Sequence, residues 1–174
     1  MGIERTGIFE FKGHAVTVVG EDIIAGQQAP GFTAITQEWL PFKGLEDTNG
    51  KVRIIASLPS LNTSVCDRET RRFNEEAANL GDDIVILTVS MDLPFTLRNW
   101  CAAAGIDKVL TLTDHKAAEF GENYGVLLKE LRIFRRAIFV VDRSGTVVYA
   151  DYMPVLGDEP NYADVLAAAR SAQN

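Results

Sequence analysis

Two thiols are available to this chain, Cys66 and Cys101, and the first stands where a thiol can be made to react. Cys66 follows the run Pro59-Ser60-Leu61-Asn62-Thr63-Ser64-Val65, in which the proline stops an apolar stretch and Thr63 and Ser64 are residues that start helices. This spacing puts Cys66 in the first turn of a helix. Only the thiolate is a good nucleophile, and a free thiol, with a pKa near ~8.5, is mostly protonated at neutral pH. Unpaired backbone N–H groups and the positive end of the helix macrodipole favour the anion at this place. The hydroxyls of Thr63 and Ser64 lie beside the sulfur, either to cap the helix or to hydrogen-bond a substrate oxygen. A single cysteine near a helix start is ordinarily a small buried hydrophobe, so position alone does not make Cys66 a nucleophile. Cys101 lies 35 positions later, on a second helical stretch. Two cysteines make a poor framework for a domain of this size, and in a reducing compartment a bond between them is expected to be transient and catalytic.

The elements that must position these residues follow from periodicity. Ile8–Phe11 and Ala15–Val19 read as a hairpin around Lys12-Gly13-His14, and Phe32–Thr36 as a short extended piece after the Gly26–Gly31 break. Val52–Leu58 is a buried-strand candidate stopped by Pro59, and Ile84–Val89 is a largely apolar run, the pattern of a strand covered on both faces. A helix is predicted over 64–80, ending at Gly81, and a second after Pro94, with Leu97, Cys101 and Ala104 on one face. Val109–Leu112 reads as a strand and 117–124 as a helix. Ala137–Val141 and Thr146–Ala150 flank the turn Asp142-Arg143-Ser144-Gly145, and a last helix spans 161–170. This order implies an α/β architecture with a mixed central sheet flanked by helices and an N-terminal β-hairpin over residues 1–20.

The 174 residues suit one compact domain, 1–174, with a full core. Twenty-four acidic against 17 basic side chains and no polybasic run exclude nucleic acid as a partner. No apolar run is long enough for a signal peptide or a membrane span, so a cytoplasmic protein without a membrane partner is expected. There is no Cys-x-x-Cys, phosphate loop or Gly-x-Ser-x-Gly elbow. His14 and His115 lack metal-ligand spacing and read as structural or surface residues.

Pro59, three residues, Thr63, two residues, Cys66 resembles the peroxiredoxin signature. Gly26-Gln27-Gln28-Ala29-Pro30-Gly31-Phe32, Ser90-Met91-Asp92-Leu93-Pro94-Phe95 and Arg136-Ala137-Ile138-Phe139-Val140-Val141-Asp142 resemble further ordered segments of that family. Within it the chain is similar to the bacterial thiol peroxidases, an atypical two-cysteine group with a thioredoxin-like fold. The resemblance implies a thiol-dependent peroxidase that uses no cofactor: neither metal, haem nor flavin. It implies Cys66 as the peroxidatic cysteine, Thr63 holding the peroxide, Pro59 shielding the sulfur, and Arg136 favouring the thiolate and polarising the O–O bond. Without the resemblance, Arg136 is one member of a basic edge with Arg132 and Arg135, and Arg135 is the neighbour most easily confused with it. Cys101 would be the resolving cysteine, condensing with the Cys66 sulfenic acid to a disulfide that thioredoxin or a similar dithiol reduces. A homodimer and a hydroperoxide substrate, hydrogen peroxide or organic, are likewise implied.

Three positions depart from the pattern: Leu58, Asn62 and Asp67. Asp67 sets a carboxylate beside the thiolate and is expected to oppose its ionisation, with Arg68 as the offsetting charge. Phe42, Phe95, Trp100 and Tyr152 are candidates to rim an apolar peroxide site. Two other readings stay open: a one-cysteine peroxidase in which Cys101 is idle, and a redox sensor or binding module in which oxidation of Cys66, about once per chain, changes a partner contact.

Overall fold

The computed structural model describes residues 2–174. The chain opens with the hairpin of β1 (Glu4–Phe11) and β2 (His14–Val19), turned by Lys12 and Gly13, both at positive φ as a two-residue hairpin turn requires. β1 begins earlier than expected because its first residues are polar and exposed; backbone pairing holds them, not apolar alternation. Next come β3 (Thr33–Ile35), β4 (Pro41–Lys43) and β5 (Val52–Ser57), then α1 (Ser64–Leu80), β6 (Ile84–Ser90), α2 (Pro94–Ala104) and β7 (Val109–Thr113). The chain continues through α3 (Glu119–Asn123), β8 (Leu127–Leu128), β9 (Ile133–Phe134), β10 (Ala137–Val141), β11 (Val147–Tyr152) and α4 (Tyr162–Ser171).

Seven strands form one mixed sheet in the order β11-β10-β5-β6-β7-β3-β4, and β1-β2-β8-β9 form a second, smaller one. β5, β6 and β7 run parallel, whereas β10 is antiparallel to both β5 and β11. Alternate residues of these strands feed two cores. On one face Ile54, Ala56, Ile86, Val109, Ile138 and Val140 meet Phe73 of α1, Leu97 of α2 and Val165 of α4. On the other, Ile55, Leu87, Leu112 and Phe139 meet Phe120 of α3 and residues of the smaller sheet such as Leu127 and Phe134. Both cysteine-bearing helices therefore lie on the same face. This is the mixed α/β layering that the strand–helix order predicts.

Several elements differ from expectation. β4, β8 and β9 have only two or three residues each, too few to show a period. The helix expected over 117–124 is a single turn, 119–123, entered through Ala118 at φ 56°. Asn161 caps α4 instead of belonging to it, its side chain accepting from the Asp164 N–H.

Candidate active site

α1 starts where the sequence places it. Thr63 is the N-cap: its Oγ1 accepts from the Cys66 N–H at 3.3 Å and donates to the Ser60 carbonyl at 3.1 Å. The same hydroxyl thus fixes the first turn of the helix to the loop before it. That loop is held from its other side by Asp92, whose carboxylate accepts from Ser60 Oγ (2.7 Å), the Leu61 N–H (2.8 Å) and Ser90 Oγ (3.0 Å). Pro59 and Leu61 are buried beneath it, whereas Asn62 and Thr63 are exposed. Leu58 is fully buried, so a Leu suffices to fill that core position.

Cys66 itself is sealed, with 0% of its surface exposed. Its neighbours along the inner face of α1 are Glu69, Thr70 and Phe73, a spacing of three, four and seven residues. Arg136 arrives from the residue before β10 and is 1% exposed. Its Nη2 donates to Cys66 Sγ at 3.2 Å, its Nη1 to Glu69 Oε2, and Nη2 again to the Leu156 carbonyl at 3.1 Å. A buried guanidinium that donates to sulfur offers charge and direction to an anion there. Arg135 points elsewhere, as pleating demands of adjacent residues: it donates to the Gly125 carbonyl, pairs with Asp22 and lies over the Tyr152 ring. Of the two arginines that sequence alone could not separate, only Arg136 touches the sulfur.

Glu69 is the partner that sequence reading missed. Burial pushes its carboxyl up to about 7 in spite of the Arg136 guanidinium beside it, and Oε1 has no hydrogen-bond partner among the described residues. The signal was present: an acidic residue on the apolar face of α1, three positions after Cys66, has to be paired or neutral. Asp92 was also missed as a loop anchor, although it lies in the Ser90–Phe95 segment that carries the resemblance.

Asp67 is not where its charge was expected to act. Its carboxylate accepts from Arg71 Nε (2.9 Å) and Trp100 Nε1 (3.0 Å), and Arg71 holds it below the usual carboxylate range. Arg68, the expected offset, turns instead to Glu159 at 3.6 Å. The expected aromatic rim does not form either. Trp100 borders an open hollow of about 480 Å³ with Leu61, Asn62, Thr63 and Asp67. Phe42 borders a different hollow, Phe95 packs on Trp39 at the surface, and Tyr152 sits on the opposite face with its hydroxyl donating to the Tyr124 carbonyl. His14 is exposed, and His115 hydrogen-bonds Thr113 and packs on Trp39.

Cys101 lies in the last turn of α2, which closes through the Gly105 N–H to the Cys101 carbonyl. Its Sγ is 3.2 Å from Thr111 Oγ1, and burial pushes the thiol up. Both cysteines are free thiols. The structure therefore brings Thr63, Cys66 and Arg136 into contact, buries Pro59 in the loop that leads to them, and seats Cys101 against Thr111.

Residues 24–166 match the Redoxin family. A thiol peroxidase of Bacillus subtilis (strain 168) is 52% identical over 161 residues, covering 92% of this chain and 95% of that protein. The thiol peroxidase of Listeria monocytogenes serotype 4b (strain F2365) is 48% identical over 93% of this chain and 97% of its own length. The chain belongs to the thiol peroxidases of the redoxin family. A peroxiredoxin-like protein from Aquifex aeolicus superposes with a TM-score of 0.86 at 33% identity, covering 98% of this chain and 99% of that one. This thiol peroxidase is accordingly a peroxiredoxin enzyme on a thioredoxin-like fold. Among the described residues no helix is long and apolar enough to cross a membrane.

Proposed function

We propose that the chain, acting as one domain over residues 1–174, reduces hydrogen peroxide and organic hydroperoxides by a two-cysteine cycle. Cys66 thiolate attacks the terminal peroxide oxygen, the O–O bond breaks, and the leaving oxygen takes a proton and departs as water or an alcohol. Cys66 becomes a sulfenic acid. Arg136 steadies the attacking sulfur and draws charge from the breaking bond, and Pro59 keeps water from the sulfur. Thr63 exchanges its bond to the Ser60 carbonyl for one to the peroxide. The Cys101 thiol then displaces hydroxide from the sulfenic sulfur, water leaves, and an intramolecular disulfide remains. Thioredoxin or a similar dithiol reduces it and becomes a disulfide in turn. A cytoplasmic homodimer is the working form of this reading.

The observation that carries it is the Arg136 Nη2 contact to Cys66 Sγ, 3.2 Å long and sealed from solvent. One observation favours the one-cysteine alternative: Cys101 Sγ is half-buried against Thr111 and unconnected to Cys66. Peroxide consumption recycled by thioredoxin and its reductase separates the two. Cys66→Ser is expected to abolish turnover and Cys101→Ser to stop recycling by thioredoxin. Full turnover by Cys101→Ser would establish the one-cysteine cycle instead, and no turnover by the native chain would leave a sensor.

A further inference from the structure

One flank of α1, beside the face that carries the sulfur, bears a row of polar side chains, two gripping the end of α2 and the third the loop that follows it. Asp67 accepts from Trp100 Nε1 at 3.0 Å, Arg71 Nη1 donates to the Ala104 carbonyl at 3.3 Å, and Asn74 Oδ1 accepts from the Lys108 N–H at 2.8 Å. Their spacing of four and three residues sets them along one stripe of the helix. Arg71 also pairs with Asp67 and lies 5.8 Å from the Trp100 ring. The row begins at the residue after one cysteine and seizes the residues on both sides of the other.

This matters because neither sulfur is free to meet the other. Cys66 Sγ is bound to Arg136 in the core, and Cys101 Sγ to Thr111 on β7. A disulfide needs Cα atoms roughly 4.4–6.8 Å apart and aligned Cβ vectors. Moving the first turn of α1 outward carries Asp67 away from Trp100. Turning Cys101 out of its seat carries Trp100 and Ala104 away from Asp67 and Arg71. Neither motion leaves the row intact, and helix ends are the places where such local opening costs least. We propose that Asp67 and Arg71 on the Cys101 turn, with Asn74 on the loop that follows it, form a latch, and that release of this latch sets the rate at which the Cys66 sulfenic acid is resolved.

The inference rests on the two-cysteine reading and adds positioning residues to it. It also fixes a competition. A latched sulfenic acid waits, and a waiting sulfenic acid can react with a second hydroperoxide, taking one oxygen to become sulfinic acid while water or an alcohol leaves. The latch therefore governs how much peroxide inactivates the enzyme.

The test is rapid mixing of the reduced chain with hydrogen peroxide, quenching by thiol alkylation, and counting free thiols and the Cys66–Cys101 link by mass spectrometry. Trp100→Phe removes one donor and keeps an aromatic ring; Arg71→Gln and Asn74→Ala loosen the other two grips, and Asn74→Ala changes a site about two turns along α1 from Cys66 should either of the others fold poorly. Each is expected to speed the peroxide-independent linking phase by roughly three- to tenfold, the worth of one lost hydrogen bond. The peroxide concentration that gives half sulfinic acid is expected to rise in proportion. Linking at the native rate or slower in the folded variants overturns the latch while leaving the two-cysteine cycle standing. A native chain that never forms the link overturns both.

Discussion

At Cys66 the decisive feature is direction: a buried guanidinium aims one N–H at the sulfur and another at Glu69. Arg136→Lys keeps the charge but loses the fork that reaches both partners. It is expected to slow the reaction of Cys66 with peroxide by about 100-fold, the usual worth of one aimed donor. Arg135→Lys, on the other face, is expected to leave that rate within about twofold and to lower the unfolding free energy by breaking bonds to Gly125 and Asp22. Competition kinetics against a reference peroxidase reads both rates; equal losses would mean that the two arginines share the role. Thr63 as the cap and Cys66 in the first turn were legible in the sequence because a helix start is a local pattern, whereas a site role for Pro59 came only through resemblance. Arg136 was legible only through resemblance, since adjacent arginines look alike until a pleat sends them to opposite faces. Glu69 was missed because a charged residue in a helix is ordinarily read as outward-facing.

The long elements carry their own signatures. β5 is buried at every position and reads as a strand from its Val-x-Ile-Ile-Ala core, and α1 begins after a capping residue and ends at a glycine with φ 77°. β4, β8 and β9 were invisible because they exist through their partners: Phe42 pairs with Ala34, Leu127 with Val19, and Phe134 with Leu127. The loop at the head of α1 belongs to the same scale, being defined by Thr63 and Asp92 more than by any period. Thr63→Ala is expected to cost about 1 kcal/mol of stability through the lost cap, and Thr63→Ser to restore it. Urea denaturation of the two variants checks this. An alanine variant as stable as the native chain would mean that the 3.3 Å contact to the Cys66 N–H contributes nothing.

For the molecule as a whole, two buried carboxyls link stability to pH. Burial pushes Asp114 and Glu69 each up to about 7, and Asp114 Oδ1 has no partner among the described residues. Both bind a proton more tightly folded than unfolded. Their contribution is therefore fully present below about pH 4 and is lost as pH rises towards 7. For Asp114 the loss is about 3–4 kcal/mol. The reduced chain is expected to be more stable at pH 5 than at pH 7.5 in urea titrations. The net charge of −7 pushes the same way, so the decisive comparison is Asp114→Asn, in which the difference between the two pH values is expected to shrink. An undiminished difference in that variant would assign the effect to net charge. At this scale the sequence led to the layering of strands and helices. The partition of the helices between faces, which sets both cysteines on one side of the sheet, was legible only in the structure.

On the proposed reading the Cys66 sulfur, steadied by Arg136, takes oxygen from a hydroperoxide. The most direct measurement adds one equivalent of hydrogen peroxide to reduced Cys101→Ser and traps sulfenic acid with a dimedone-type reagent before peptide mapping. One label per chain, confined to Cys66 and absent from Cys66→Ser, is the predicted result. Peroxide left unconsumed, or a label that fails to reach Cys66, would contradict the account.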